Sequence, residues 1–347
     1  MKMPASPMRM LAAAMLVFGA TMTANAQQVV LKVHHFLPST SNAQVNIIQP
    51  WCDKVNKESK DRIKCQIYPA MQLGGTPPQL FDQARDGVAD VVWTIPTYAA
   101  GRFVKSEVFE LPFMVPSAKV GSQALWTYVQ KNSLDEFKGT KLLFTHMHDG
   151  TLLFFKDKTP TKLEDLKGLR IRAATRINSQ MMAALGATPV QQPLPAVPES
   201  LSKGVIDGAS VPWEGVPSIK LQEIAKYTLE TPVGKPRMAN AIFVFAMNQA
   251  KYDALAPDLK KVIDDNSGMA PSTLAGEKGF DSVVEAHRKL MRDQGGTLTH
   301  MPAAEYDRWV KATESVADAW VKSASEKGAD GKKLLDEARA LIKQFDK

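Results

Sequence analysis

The sequence predicts an α/β chain folded as two similar lobes, and three observations carry that reading. Short β-rich apolar runs alternate with stretches of helical periodicity through both halves, the order that an open α/β sheet requires. A phrase in the first half, DGVADVV (86–92), returns in the second as KGVIDGA (203–209), with Gly, Val and Asp coinciding. The period between the copies is far too long for a solenoid, so they read as corresponding pieces of two lobes. After a last strand-like run at 242–247 the pattern is helical almost to the end.

The elements follow in order. Residues 1–26 carry Lys2 and Arg9, an apolar run over 10–20 and the small-residue ending Ala24-Asn25-Ala26, the three parts of a secretory signal cut after Ala26. Its apolar core is too short to span a bilayer permanently, and no later segment offers ~20 consecutive apolar residues. An exported, periplasmic protein is expected, without a lipid anchor because no cysteine stands at the cut. VVLKVHHF (29–36) reads as a strand, 51–58 as a helix and 63–68 as a second strand. Two prolines, an apolar face of Leu80, Phe81 and Ala84, and the stop at Gly87 mark a helix that leads into a buried strand at 88–93. In the second half a strand at 169–173 feeds a helix that begins near Asn178 or Ser179 and stops at Gly186. The C-terminal helices are expected at 258–266, 276–294, 303–326 and 332–345, where Trp309, Val316 and Trp320 recur at the spacing of a packed face.

Composition narrows the function. With 347 residues, 44% of them hydrophobic, the chain can bury more than one core. The formal charge of +7 falls by two when the signal is removed. The remaining excess is spread over separate lysines, which favours small anions and not nucleic acid. No G-x-S-x-G elbow, P-loop, dinucleotide fingerprint, H-E-x-x-H or calcium loop is present. Cys52 and Cys65 stand close together in an exported chain, where a local disulfide is the expected state and two free thiols the alternative. His146 and His148 share a face of a predicted strand but make only two ligands of any metal site. His34 and His35 point to opposite faces of the first strand, and His35 is the one expected to face a cleft. Three arginines cluster in one short stretch, Arg170 and Arg172 on one nominal strand face and Arg176 beyond it.

Seven phrases in register resemble the DctP family, the solute-binding proteins of TRAP (tripartite ATP-independent periplasmic) transporters. They are IYPAMQLGG (67–75), DQARDGVADVVW, FELPFM (109–114), EDLKGLRIR (164–172), ALGATPV (184–190), KGVIDGA and FVFAMN (243–248). The resemblance implies a two-lobed periplasmic binding protein with a ligand cleft between the lobes and a long helix spanning both. Lobe 1 would hold 27–149 and about 238–277, and lobe 2 would hold 150–237 and about 278–347 with the C-terminal helices. It further implies a monomeric receptor, not an enzyme, that needs no cofactor, captures a small organic acid anion and delivers it to the small and large membrane subunits of the permease.

In that family the arginine ending EDLKGLRIR binds the ligand carboxylate, and Arg172 matches it. Its planar fork suits a carboxylate and stays charged when water is excluded. Arg170 is then expected to be solvated and Arg176 to sit at the helix start or rim. Sialic-acid-binding members carry further polar groups at four positions where this sequence has Phe36, Ile95, Leu152 and Val211. The expected ligand is therefore apolar apart from its carboxylate: an aromatic monocarboxylate such as an arylglyoxylate. Phe36, Trp93, Tyr98, Phe154 and Trp213 are candidates to line the cleft, and His35 and Asn240 to donate to a second oxygen. Glu214 could instead recruit a cation. Two alternatives are an aliphatic 2-oxo or branched short-chain acid in the same fold, and a receptor that signals to a membrane sensor kinase.

Overall fold

A computed structural model describes residues 28–347 together with Met1; the expected signal and its cut lie outside the described residues. In chain order the strands are β1 (Val29–His35), β2 (Ile63–Tyr68), β3 (Val91–Thr94), β4 (Thr140–Met147), β5 (Leu152–Phe155), β6 (Arg170–Ala173), β7 (Thr188–Gln191), β8 (Gly208–Val211), β9 (Tyr227–Glu230), β10 (Ile242–Asn248) and β11 (Thr297–His300). They form two sheets, β2-β1-β3-β10-β4 and β11-β9-β5-β8-β6-β7. The chain therefore crosses from the first sheet to the second after β4, returns after β9, and crosses again before β11.

The repeated Gly-Val-x-Asp phrase does the same physical work in both sheets. Gly87 and Gly204 take left-handed backbone (φ +79° and +65°), ending the preceding helix where a side chain would be strained. Three residues later Asp90 accepts a hydrogen bond on its carboxylate from the Lys32 N–H at 2.8 Å, and Asp207 accepts one from the Arg170 N–H at 2.8 Å. Each aspartate also donates its own N–H to the carbonyl of the same partner. The carboxylate thus locks the start of β3 to β1, and of β8 to β6, in parallel register.

The two crossings near residues 150 and 239 lie against each other. The Thr151 N–H donates to the Ala239 carbonyl at 2.7 Å, and the Met238 N–H to the Thr151 carbonyl at 3.3 Å. Gly150 (φ +86°) is needed there for a second reason: a Cβ on it would stand 2.5 Å from Cβ of Arg237. Gly150, Thr151, Ala239 and Ala241 thus form a slender two-stranded joint between the sheets.

Several element bounds differ from the sequence reading. The stretch expected as one helix at 276–294 is Met269–Gly279, a 3-10 turn Asp281–Val283 and Val284–Asp293. The helix passing between the lobes is broken at Phe280, whose φ −133° and ψ −60° are not helical. Helix 303–326 is likewise divided at Thr313 into Ala303–Ala312 and Glu314–Glu326. β11, a four-residue edge strand, lies between two of the expected helices, where no strand was expected. Helix Gly331–Phe345 packs on helix Ala118–Asn132, which covers β4 of the first sheet, while Glu314–Glu326 also touches helix Arg176–Ala184 of the second. Among the described residues no helix is long and apolar enough to cross a membrane.

Cys52 and Cys65 form a disulfide with 5.7 Å between Cα atoms, tying helix Gln49–Glu58 to β2 over 13 residues of sequence. A loop of that length closed in the unfolded chain stabilises the folded state by roughly 3 kcal/mol. The Cys52→Ala/Cys65→Ala variant should lose about that much in a denaturant titration of the oxidised protein; a loss below about 1 kcal/mol would mean that strain cancels the constraint.

Candidate functional site

The parallel strands of both sheets end toward an interlobe cavity whose free volume is only about 20 Å³, well below that of an occupied ligand site, so its walls must part to admit a ligand. Phe36 follows β1, Ile95 follows β3, Ala174 follows β6, Leu194 lies beyond β7, and Pro212 and Glu214 follow β8. Carboxyl ends of strands are where open α/β sheets place ligands, because the loops there diverge and leave a crevice.

Arg172 is the cationic group in the cavity wall and is 1% exposed. Its Nε donates to the Gln192 carbonyl at 2.9 Å and one Nη to the Ser210 carbonyl at 2.7 Å, so two main-chain oxygens fix the plane of the guanidinium. Tyr98 reaches across from the first lobe; its hydroxyl meets the Arg172 side chain and accepts from the Leu194 N–H at 3.3 Å. The neighbouring arginines are accounted for differently. Arg170 opens to solvent and makes a bidentate pair with Asp207, at 3.1 and 2.7 Å. Arg176 pairs with the buried Glu107. It is also the first residue of helix Arg176–Ala184, which starts before 178 because the Thr175 hydroxyl caps it by accepting from the Asn178 N–H. Among the described residues no carboxylate makes an ion pair with Arg172, and burial holds its pKa below the usual arginine value.

Part of the adjoining wall is a stack of rings. Trp93 lies between Phe36 (centroids 5.2 Å apart, 24° between planes) and Phe243 (4.7 Å, 21°). Phe243 stacks in turn on His146 at 4.7 Å and 2°. The Trp93 Nε1–H donates to His146 Nε2 at 2.8 Å, which fixes the indole rotation from behind. His146 is therefore a buried support for the aromatic wall, and burial lowers its pKa to about 3. Backbone N–H groups of Gly150 and Ala241 are directed at the two ring nitrogens of His148 at 2.9 Å each, so it too resists protonation; burial is the main cause of its pKa of about 3. Among the described residues no group of three or more His, Cys, Asp or Glu could hold a metal ion.

Buried carboxyls join the two lobes. Glu110 accepts from the hydroxyls of Thr97 and Thr175, each at 2.6 Å, and from the Ile242 N–H at 3.2 Å; burial pushes its pKa up to about 8. An exposed glutamate gives up its proton near 4.5, so the stability contributed by Glu110 is complete below that pH and is lost as pH rises toward about 8. Glu214, also pushed up to about 8 by burial, adds to the same slope. The buried histidines act on the acid side, since they are held neutral below their ordinary 6.5. Thermal melts of Glu110→Gln should therefore decline less between pH 5 and about 8.5 than those of the parent. Equal declines would show that Glu110 is ionised in the folded protein.

Among the residues expected at the site, Arg172, Phe36, Trp93 and Tyr98 line this cavity together. Trp213 and Phe154 do not: they pack edge to face on each other at 5.5 Å inside the second lobe, both fully buried, while Pro212 and Glu214 on either side of Trp213 face the cavity. The His35 Nε2–H donates to Gln44 Oε1 at 2.9 Å, and the ring meets the edge of Trp93, one layer behind the wall. Asn240 gives its carbonyl to Asn178 Nδ2 at 3.0 Å and lies outside the lining, beside Ala241.

The model for bacterial extracellular solute-binding proteins, family 7 (DctP), matches residues 33–323. The chain belongs to the DctP family. Solved structures similar to this DctP-family protein include a TRAP solute-binding protein of Rhodoferax ferrireducens in complex with copurified benzoate, 46% identical over 92% of this chain and 98% of that one, with a TM-score of 0.90. A marine metagenome TRAP protein specific for aromatic acid ligands, with 3-hydroxybenzoate, is 44% identical over 92% and 100% of the two chains, TM-score 0.90. A Bordetella bronchiseptica TRAP protein with bound (R)- and (S)-mandelate is 29% identical over 92% and 100%, TM-score 0.84.

Several lining residues of this DctP member were not singled out from sequence, among them Phe243, Leu37, Thr151 and, as a wall residue, His148. Phe243 stands in the FVFAMN phrase, but a strand buried on both faces has no polar alternation to say which ring meets a cleft. Thr151 lies at the joint between the sheets, where periodicity carries no information.

Proposed function

We propose that this protein is a periplasmic receptor of a TRAP transporter that binds a small aromatic monocarboxylate between its lobes and delivers it to the membrane permease. The observation that supports this best is a fully buried arginine without a carboxylate partner, set against a wall of stacked rings in an enclosed interlobe cavity. A carboxylate at Arg172 would supply the missing counter-charge through two parallel N–H···O bonds. An aryl ring against Phe36, Trp93 and Phe243 would add burial at roughly 25 cal/mol per Å² and about 0.5–1.5 kcal/mol per aromatic pair. Micromolar affinity needs about 8 kcal/mol, more than one ion pair supplies, so the ring contributes a large share.

The similar structures that hold benzoate, 3-hydroxybenzoate and mandelate support the same ligand class. In this reading the signal directs export and is cut after Ala26, lobe 1 is 27–149 with about 238–277, and lobe 2 holds the rest. The lobes open and close about the joint at Gly150 and Ala239, the receptor acts as a monomer, and the ligand leaves unchanged.

A thermal-shift panel of benzoate, mandelate, a branched aliphatic 2-oxo acid and a sugar acid tests this, since a ligand that binds only the folded form raises its melting temperature. Aryl acids should give the largest shifts. A larger shift with the sugar acid or the aliphatic acid would overturn the aromatic assignment.

A further inference from the structure

The buried acids of this protein fall into two groups. Glu107, Glu230 and Asp149 are each paired with an arginine, Arg176, Arg288 and Arg237 respectively. Asp90 and Glu110 accept from backbone N–H groups or hydroxyls at 2.6–2.8 Å. Glu214 is the exception. It is 2% exposed and lines the cavity, yet its carboxyl meets only the Ser218 hydroxyl, at 3.4 Å, and the Ala43 backbone. No cationic side chain among the described residues pairs with it.

A second polar group in the lining has no partner at all. Thr151 is 1% exposed and lines the cavity, and its hydroxyl oxygen makes no hydrogen bond. Leaving the Thr151 hydroxyl unpaired and Glu214 with only weak partners under an apolar ring would carry a desolvation cost for each. A ligand that is apolar apart from its carboxylate, as the sequence suggested, does not remove that cost.

We propose that Glu214 and Thr151 form a second polar pole that selects aryl acids carrying a ring hydroxyl. The proposal rests on the aryl-acid reading of the same cavity and adds to it the class of substituent. A phenolic O–H donates to the Glu214 carboxyl, and its oxygen accepts from the Thr151 hydroxyl. Glu214 keeps its proton below about pH 8 and can donate it to a keto or methoxy oxygen, but such an oxygen has no hydrogen to give and leaves the carbonyl oxygen of Glu214 without a donor from the ligand. A site that hydrogen-bonds a substrate hydroxyl discriminates against the analogue without it far more than an apolar pocket does, because its own groups are then left unpaired. Among the described residues Glu214 belongs to no group of three or more His, Cys, Asp or Glu side chains that could hold a metal ion.

The experiment is calorimetric titration of the mature protein with benzoate, the three monohydroxybenzoates and the matching methoxybenzoates, repeated for Glu214→Gln, Glu214→Leu and Thr151→Val. At least one hydroxy isomer should bind the parent about tenfold more tightly than benzoate, a difference of about 1.4 kcal/mol, and its methoxy analogue should lose that gain. Glu214→Leu should bring the isomer within about twofold of benzoate while benzoate itself still binds; Glu214→Gln, which both donates and accepts, should keep most of the preference. A parent protein that binds no hydroxy isomer better than benzoate, or a preference that survives Glu214→Leu, overturns the proposal and leaves the aryl-acid function standing. Failure of every aryl acid to bind the parent overturns both. Should Glu214→Leu not fold by circular dichroism, the hydroxy-to-methoxy ratio in the parent and the Thr151→Val result decide the matter.

Discussion

Arg172→Ala is expected to remove nearly all affinity for aryl carboxylates while the protein still folds. Truncating one partner of a buried, hydrogen-bonded charge pair costs about 2–5 kcal/mol in binding, a loss of about 30-fold to several thousand-fold. The unliganded protein responds differently. Arg172 is buried without an ionic partner, so its removal relieves a desolvation cost that offsets the two hydrogen bonds lost to the Gln192 and Ser210 carbonyls. The melting temperature without ligand should therefore change little, and the ligand-induced rise should vanish. Arg172→Lys keeps the charge and loses the planar fork, so it should bind between the two. Retention of aryl-acid affinity within tenfold in Arg172→Ala would sink the assignment of the clamp.

Trp93→Ala should produce the largest loss of stability at the site. Both faces of the indole are covered, by Phe36 and Phe243, the ring is 0% exposed, and its N–H is the donor to His146 Nε2. Truncating a buried tryptophan costs about 3–5 kcal/mol, which corresponds to a fall in melting temperature on the order of 10 °C for a chain of this size. Binding should weaken too, since the wall collapses into the cavity that the ligand would fill. Trp93→Phe retains a stacked ring but gives up the N–H, and should fall between. A cost below about 1 kcal/mol for Trp93→Ala would mean that the stack packs far less tightly than its spacing implies.

Much of the lobe architecture was legible because local chemistry announced it. The repeated Gly-Val-x-Asp phrase reports a left-handed helix end followed by a carboxylate that locks the next strand, and both copies do so with equivalent backbone partners, Lys32 and Arg170. Arg172 was legible through the EDLKGLRIR phrase, and the structure adds why it differs from Arg170: both share a strand face, but only Arg172 lies at the end covered by the other lobe. The breaks at Phe280 and Thr313 were not legible: Gly279 stands beside the first, but Gly276 lies in the same helix without ending it, and no proline or glycine marks the second. At the cavity, Phe36, Trp93 and Tyr98 were found because they follow strands or sit at their ends. Trp213 lies in a loop, where a phase of one residue decides which side chain faces the ligand; there Glu214 takes the inward position and Trp213 the core. Thr151 and Ala241 enter the wall only because two distant crossings pair at the joint.

The same loop phase explains why the expected purely apolar pocket acquired a second polar pole. Of the four positions compared with sialic-acid receptors, Phe36 and Ile95 line the cavity while Leu152 and Val211 lie outside its lining, and Glu214 and Thr151 enter from positions outside that comparison.

A crystal structure of the mature protein grown with benzoate tests the central claim most directly. The account predicts the ligand in the interlobe cavity, its carboxylate forked onto the guanidinium of Arg172 and its ring against Phe36, Trp93 and Phe243. Benzoate held elsewhere on the molecule, or in the cavity with its carboxylate turned away from Arg172, would contradict it.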